Sequence, residues 1–179
     1  MIAVIGATGF LGSKVMEYFD NAIECPIRFN DKKGYEEWFD SHDVDTVIHL
    51  ARCCKKPQVN PRRTPQTFLD EIEGIQNILS TKAKDCKFIY ASTKIMTGKL
   101  IDNKPITRLD ICEIFKKWLD QGTTNSIQYV PNCNEEHKFD IQAYTQHHKI
   151  YSLTKIAVEG FVQVMCKNFV IARIGDIAK

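Results

Sequence analysis

The chain has no apolar run near the roughly 18 residues that a membrane-spanning helix needs. It also lacks a strong charge of either sign. Its 24 Lys and Arg against 22 Asp and Glu leave a net charge of +2, which argues for neither a nucleic-acid nor a membrane-surface partner. No basic segment precedes the first apolar run, and glycines break that run, so no signal peptide is expected. The seven cysteines (25, 53, 54, 86, 112, 133 and 166) contain no C-x-x-C pair. An odd set without paired spacing excludes a disulfide framework and the common zinc spacings, and fits reduced thiols in a cytoplasm. Cys133, His137, His147 and His148 can be drawn as metal ligands. Their spacing matches no common site, and no metal is expected. Internal repeats and low-complexity segments are absent as well.

What remains is an ordinary globular composition, 44% apolar and 26% charged over 179 residues. That length predicts one domain, residues 1–179, with enough chain to bury a core. The first twelve residues carry the most information. A short apolar run, Ile2–Ile5, ends in Gly6-x-x-Gly9-x-x-Gly12, and a helical pattern follows over Ser13–Phe19. This is how a chain builds a phosphate cradle at the end of a buried strand. Gly6 turns the backbone, Gly9 leaves room for a pyrophosphate, and Gly12 lets the helix pack close. The helix N terminus then offers free N–H groups and a positive dipole.

Strand and helix patterns alternate beyond the cradle. Strands are predicted at Ile23–Phe29, Thr46–Leu50, Phe88–Ala91 and Phe169–Ile174. Pro26 confines the first of these to an edge. Helices are predicted at Gly34–Ser41, Pro65–Ala83, Thr107 to about Asp120, and Tyr151–Cys166. Thr107-x-x-Asp110 reads as a capping box, and residues 121–148 read as a polar segment without period. Alternation of this kind implies right-handed crossovers and a parallel sheet covered on both faces. Ligands then sit beyond the carboxyl ends of the strands, a rim shared by Gly6–Gly12, the segment after Leu50 and the segment after Ala91.

Two further features carry chemistry. Tyr151-Ser-Leu-Thr-Lys155 puts a phenol and an ammonium on one helix face. The lysine favours the phenolate, which makes the tyrosine a usable acid–base group, and it can also hold a ribose hydroxyl. Alone, the pair reads more readily as an incidental Tyr–Lys pair on an exposed helix. Ser92 and Thr93 put hydroxyls at the end of a buried strand, where a helix cap or turn is the plain alternative. Taken with the cradle, these residues come in the order that a nicotinamide-dependent hydride-transfer site needs.

The segments Gly6-Ala-Thr-Gly-Phe-Leu-Gly12, Val47-Ile-His-Leu-Ala51, Ala91-Ser-Thr93, Tyr151-Ser-Leu-Thr-Lys155 and Ala172-Arg-Ile-Gly175 together resemble a known family. They are similar to the extended short-chain dehydrogenase/reductases, which include nucleotide-sugar epimerases, dehydratases and reductases. The short early region with Val44-Asp-Thr-Val-Ile-His49 looks most like the dTDP-4-dehydrorhamnose reductase branch. The resemblance implies an α/β fold, a single-domain Rossmann-like doubly wound parallel sheet. It makes Tyr151 the acid–base residue, Lys155 its tuner and ribose ligand, and Thr93 the hydroxyl that holds the reacting oxygen. Gly6, Thr8, Gly9, Phe10, Leu11 and Gly12 would hold the pyrophosphate of NAD or NADP, and Leu50 and Ala51 would line the cofactor. The implied substrate is a nucleotide-linked sugar, and the implied compartment is the cytoplasm.

Four departures from the family pattern qualify this. Only one strand lies between the first helix and Val47, and no acidic residue for the adenosine ribose is identifiable. Arg28 there is either a 2′-phosphate ligand or an exposed charge. Glu71 stands where an asparagine is usual before Gly74. The stretch from Thr93 to Tyr151 is long, with an insertion at about 99–148. The chain stops at Lys179, without the usual C-terminal substrate lobe. The insertion either supplies a substitute pocket or forms a partner surface through Ile111, Ile114, Phe115, Trp118 and Leu119, and core packing is the plain reading of that face. The basic loop Lys55–Arg63 either attracts a diphosphate or is solvated. Three functions follow: an NAD(P)-dependent oxidoreductase, epimerase or dehydratase; a catalytically idle dinucleotide-binding module; or a chain whose sugar pocket a homo-oligomer or separate chain completes.

Overall fold

The computed structural model describes residues 1–51, 64–93, 105–130 and 146–178, the last from residue 150 onward in its side chains. The core is a six-stranded, wholly parallel sheet of order β2-β1-β3-β4-β6-β5. The strands are β1 (Ile2–Ile5), β2 (Ala22–Cys25), β3 (Thr46–His49), β4 (Lys87–Thr93), β5 (Ser126–Val130) and β6 (Asn168–Ile174). The helices are α1 (Gly12–Tyr18), α2 (Lys32–Ser41), α3 (Pro65–Leu79), α4 (Arg108–Asp120) and α5 (Gln146–Met165). Every residue of β1 and β3 is buried, as expected of central parallel strands covered on both sides.

Two apolar layers sandwich the sheet. On one face α1 and α4 pack Val15, Ile111, Phe115 and Trp118 against Val4, Ile48 and Ile89. On the other, α2, α3 and α5 pack Phe39, Ile78 and Val162 against Ile5, Val47 and Phe88. Local rules account for the helix starts. Thr64 caps α3 and is followed by Pro65 at the first turn, and Thr107 and Asp110 form the reciprocal capping box of α4. The apolar stripe of α4 is core: Ile111, Phe115 and Trp118 are buried, and Ile114 and Leu119 pack against the same layer.

The elements differ from the sequence expectation in four places. The edge strand β2 ends at Cys25, before Pro26, because proline cannot continue the ladder. Helix α3 ends at Leu79 and a 3-10 turn, Lys82–Asp85, follows under the cap of Thr81. Helix α5 begins at Gln146, ahead of Tyr151. The polar segment 121–148 contains a strand, β5. It is short and lies at the sheet edge, so only Val130 is fully buried and its composition looks loop-like.

The position of β5 also alters the expected handedness. From β1 through α1 to β2, from β2 through α2 to β3, and from β3 through α3 to β4, the three connections share one hand. From β4 the chain continues in the same direction to β5, yet α4 lies on the α1 face. It then steps back to β6 with α5 on the α3 face. Both connections through β5 therefore have the opposite hand to the other three, against the near-uniform rule. The reason is spatial: α5 already covers β4 and β6 on the α3 face, leaving the α1 face for α4. Among the described residues, no helix is long and apolar enough to cross a membrane.

Candidate functional site at the carboxyl rim of the sheet

The glycine segment forms a tight loop between β1 and α1. Gly6 has φ +91°, and a side chain there would strike the Ala51 backbone, so the loop and the end of β3 require glycine for two reasons. A Cβ on Gly12 would collide with the Gly6 carbonyl. Gly9 donates to Gly6 O at 3.0 Å, closing the turn. A Cβ on Gly9 would meet only that carbonyl, so the space outside Gly9 is open. The N–H groups of Thr8, Phe10 and Leu11 find no acceptor among the described residues. The loop thus carries orphan donors at the positive end of α1, the property that fits it to an anion. Leu50 and Ala51 close the floor, both donating to Ile5 O at 2.9 and 3.0 Å. Arg28 is exposed, three residues past the end of β2.

The second half of the site lies under α5. Lys155 is only 4% exposed. Its Nζ donates to Tyr90 Oη at 2.8 Å and, more loosely, to the Ala91 carbonyl at 3.4 Å, and it lies 4.8 Å from the Tyr90 ring centroid. Burial works against the ammonium, but the oxygens of Tyr90, the Glu71 carboxylate and the Tyr151 phenol outweigh it and hold Lys155 above the ordinary lysine value. Burial raises Tyr90 above the ordinary phenol value, Lys155 pulls it down, and Glu71 raises it further. Lys155 is therefore charged and Tyr90 neutral. His49 packs edge-on against Tyr90, with ring centroids 5.6 Å apart. Burial, then the Lys155 charge, lowers its pKa to about 3. His49 is neutral, and among the described residues its Nδ1 has no partner.

Tyr151 is half-buried, one helical turn closer to the start of α5 than Lys155. Since Lys155 meets the level of Ala91, that turn of about 5.4 Å sets Tyr151 level with Thr93, the last residue of β4. Thr93 is buried there, although strand alternation turns it away from the face that holds Tyr90 and Ser92. The fold therefore gathers Gly6–Gly12, Leu50, Ala51, Thr93, Tyr151 and Lys155 at one rim. The loop 55–63 lies outside the described residues, as do Cys133 and His137 and the side chains of His147 and His148.

Sequence reasoning missed Tyr90 and His49, which looked like core strand residues, and it noted Glu71 only as a departure. Glu71 is in fact buried and acts on Lys155. The available signal was parity: Tyr90 and Ser92 alternate on β4, so both face α5. A second buried cluster was also missed. Glu159 accepts from Arg173 Nε and Nη2 at 3.2 and 2.8 Å and from Ser92 Oγ at 2.5 Å, and Arg173 Nη1 donates to Tyr129 Oη at 2.7 Å.

A parallel α/β sheet with a glycine cradle and a buried Tyr–Lys helix on one rim defines a dinucleotide-binding class of fold. The model of the NAD dependent epimerase/dehydratase family matches residues 2–113, more than half of the chain, and the protein belongs to that family. Among solved structures, the chain is similar to a dTDP-4-dehydrorhamnose reductase from Bacillus anthracis str. Ames in complex with NADP. The TM-score is 0.61 at 16% identity, covering 97% of this chain and 52% of that one. It is similar also to a UDP-glucose 4-epimerase from Thermus thermophilus in complex with NAD, with TM-score 0.60, 17% identity, and coverage of 96% and 54%. A third is the Bordetella bronchiseptica enzyme WbmH with NAD+, with TM-score 0.59, 15% identity, and coverage of 96% and 54%. The chain thus spans about half the length of these structures. No curated protein matches it.

Proposed function

We propose that this chain binds NAD or NADP and serves an oxidoreductase, epimerase or dehydratase reaction on a nucleotide-linked sugar. The observation that carries this reading is the buried Lys155 ammonium, held by Tyr90 and Glu71 one turn below Tyr151. A purely structural helix has no need to bury a charge beneath a phenol. The family membership and the nicotinamide cofactors named in the similar structures support it.

In this reading the orphan N–H groups of the glycine loop hold the pyrophosphate, and Leu50 and Ala51 line the bound dinucleotide. The cofactor, when bound, supplies the hydride acceptor or donor. Tyr151 gives a proton to the sugar oxygen or takes one from it, while the Lys155 charge favours the phenolate. Thr93, the last residue of β4, is the hydroxyl assigned to that oxygen, which it would have to reach round the strand end, since its parity faces away from α5. Arg28, exposed past β2, is the candidate 2′-phosphate ligand, so tighter binding of NADPH than NADH is the sign of its use. The chain forms one domain, in which α4 and β5 are the inserted unit. Four described cysteines are buried and free, in keeping with a cytoplasmic setting.

Replacing Tyr151 by Phe tests the mechanism. Cofactor affinity should be unchanged and turnover of a responsive nucleotide sugar should fall by at least about 100-fold. Retained turnover would refute the assignment. The second reading, an idle dinucleotide-binding module, is favoured by one observation: strand alternation turns Thr93 away from the sheet face on which α5 and Tyr151 lie. Binding of NADH or NADPH with no turnover across a nucleotide-sugar panel would select it. A third arrangement, in which a second copy or separate chain completes the sugar pocket, predicts a solution mass above that of the monomer.

A further inference from the structure

A polar side chain of the α4–β5 unit reaches the glycine loop. Arg108, the first residue of α4, donates from Nη1 to the Phe10 carbonyl at 3.0 Å, and its guanidinium lies 4.5 Å from the Phe10 ring centroid. The two residues are 98 positions apart in the chain. Phe10 is otherwise 50% exposed. Among the described residues no carboxylate pairs with Arg108. The start of α4 is itself anchored at this rim: Ile106 donates to Asp176 O at 3.0 Å and accepts from Ala178 N at 2.9 Å.

The direction of this bond matters. In a trans peptide the carbonyl of one residue and the N–H of the next point opposite ways. With its carbonyl drawn towards Arg108, the Phe10–Leu11 peptide sends the Leu11 N–H the other way, along the α1 axis and out of its N-terminal end. That N–H is one of the orphan donors of the loop. Ser13 Oγ also donates to Phe10 O, at 3.3 Å, so the carbonyl is gripped from both sides. The guanidinium adds a whole positive charge beside a helix end that carries about half a charge of its own. The bond and ring contact to Phe10 tie α4 to the loop, but neither needs a full charge, whereas a bound pyrophosphate does.

We propose that Arg108 is a positioning residue of the dinucleotide cradle. It fixes the Phe10–Leu11 peptide with Leu11 N–H facing the pyrophosphate, and it makes the α4–β5 unit a working part of the cofactor site. This rests on the reading that Gly6–Gly12 binds a dinucleotide. By linkage, an occupied cradle in turn stabilises the first turn of α4.

Titration of the whole chain with NADH and NADPH at low and high salt tests the proposal. Arg108→Gln should bind about tenfold more weakly at low salt and show a flatter salt dependence. Arg108→Lys should recover part of the loss, because it keeps the charge without the fork. Equal affinity and equal salt dependence of wild type and Arg108→Gln would overturn the role of Arg108 while leaving the cradle intact. Failure of the wild type to bind either dinucleotide would instead overturn the cradle reading beneath it. The wild type gives an independent check should Arg108→Gln not fold. Saturating NADH or NADPH should slow amide exchange at residues 108–112, and unchanged exchange there would overturn the proposal.

Discussion

Two charged clusters sit one turn apart on the same face of α5, and they are built differently. Around Glu159 the partners are complete: Arg173 binds the carboxylate with two nitrogens, Ser92 adds a third donor, and Tyr129 takes a remaining guanidinium N–H. The Arg173 charge is favoured by Glu159 and Tyr129 over the cost of burial. Around Lys155 the partners are poorer. The near acceptor is a neutral phenol, the far one a carbonyl at 3.4 Å, the counter-charge is the buried Glu71 carboxylate, and among the described residues the buried His49 Nδ1 beside them has no partner. A fully satisfied buried network specifies structure. A buried ammonium whose near acceptor is a neutral phenol, set beneath a second phenol, is a candidate for function. The Glu159 cluster ties β4, β6 and the edge strand β5 to α5, and the Lys155 cluster keeps a charge beneath Tyr151.

Removing one partner from each cluster tests that contrast most sharply. Arg173→Met leaves Glu159 buried without its counter-charge and should cost about 3–5 kcal/mol in urea unfolding. Lys155→Met likewise strands the buried Glu71 carboxylate. It gives up the 2.8 Å bond to Tyr90 where Arg173→Met gives up three guanidinium bonds, so it should cost less, and it should abolish turnover. Equal losses of stability would erase the distinction between the clusters. Next in size is Tyr90→Phe, which removes the near acceptor of Lys155. A loss of about 1–3 kcal/mol is expected, with reduced activity rather than none. Unchanged stability would mean that another group holds the ammonium.

The most gradual effect is set by pH. His49 titrates near 3 in the folded chain against an ordinary value of 6.5. Between these values the unfolded chain binds a proton that the folded chain refuses. Stability must therefore fall as pH drops from 6.5 towards 3, by up to about 1.4 kcal/mol per pH unit from this residue. Carboxylates elsewhere also respond to acid, so the measurement is a difference. The unfolding midpoint of His49→Asn should fall less steeply with acid than that of the wild type. Parallel slopes would show that His49 is not buried neutral.

Much of this was legible in advance wherever local rules govern. The cradle spacing of Gly6, Gly9 and Gly12, the alternation of strands and helices, and the capping box of Thr107 and Asp110 all depend on residues a few positions apart. The Tyr151–Lys155 spacing belongs with them, since four residues along a helix fix a shared face. β5 was hidden because an edge strand half open to water has little apolar signal. The opposite hand of the connections around it was hidden because handedness depends on which face another helix has already covered.

The sequence by itself therefore determined the central elements, the parallel sheet and the rim on which a site could form, because short-range hydrogen bonding and periodic burial decide those. Only the tertiary structure decided what each charge would meet. Lys155 finds Tyr90 across 65 residues, Arg173 finds Tyr129 across 44, and Arg108 finds the Phe10 carbonyl across 98. Such pairings arise where separate helices and strands are brought together by burial of their apolar faces, and no local pattern in the chain encodes them.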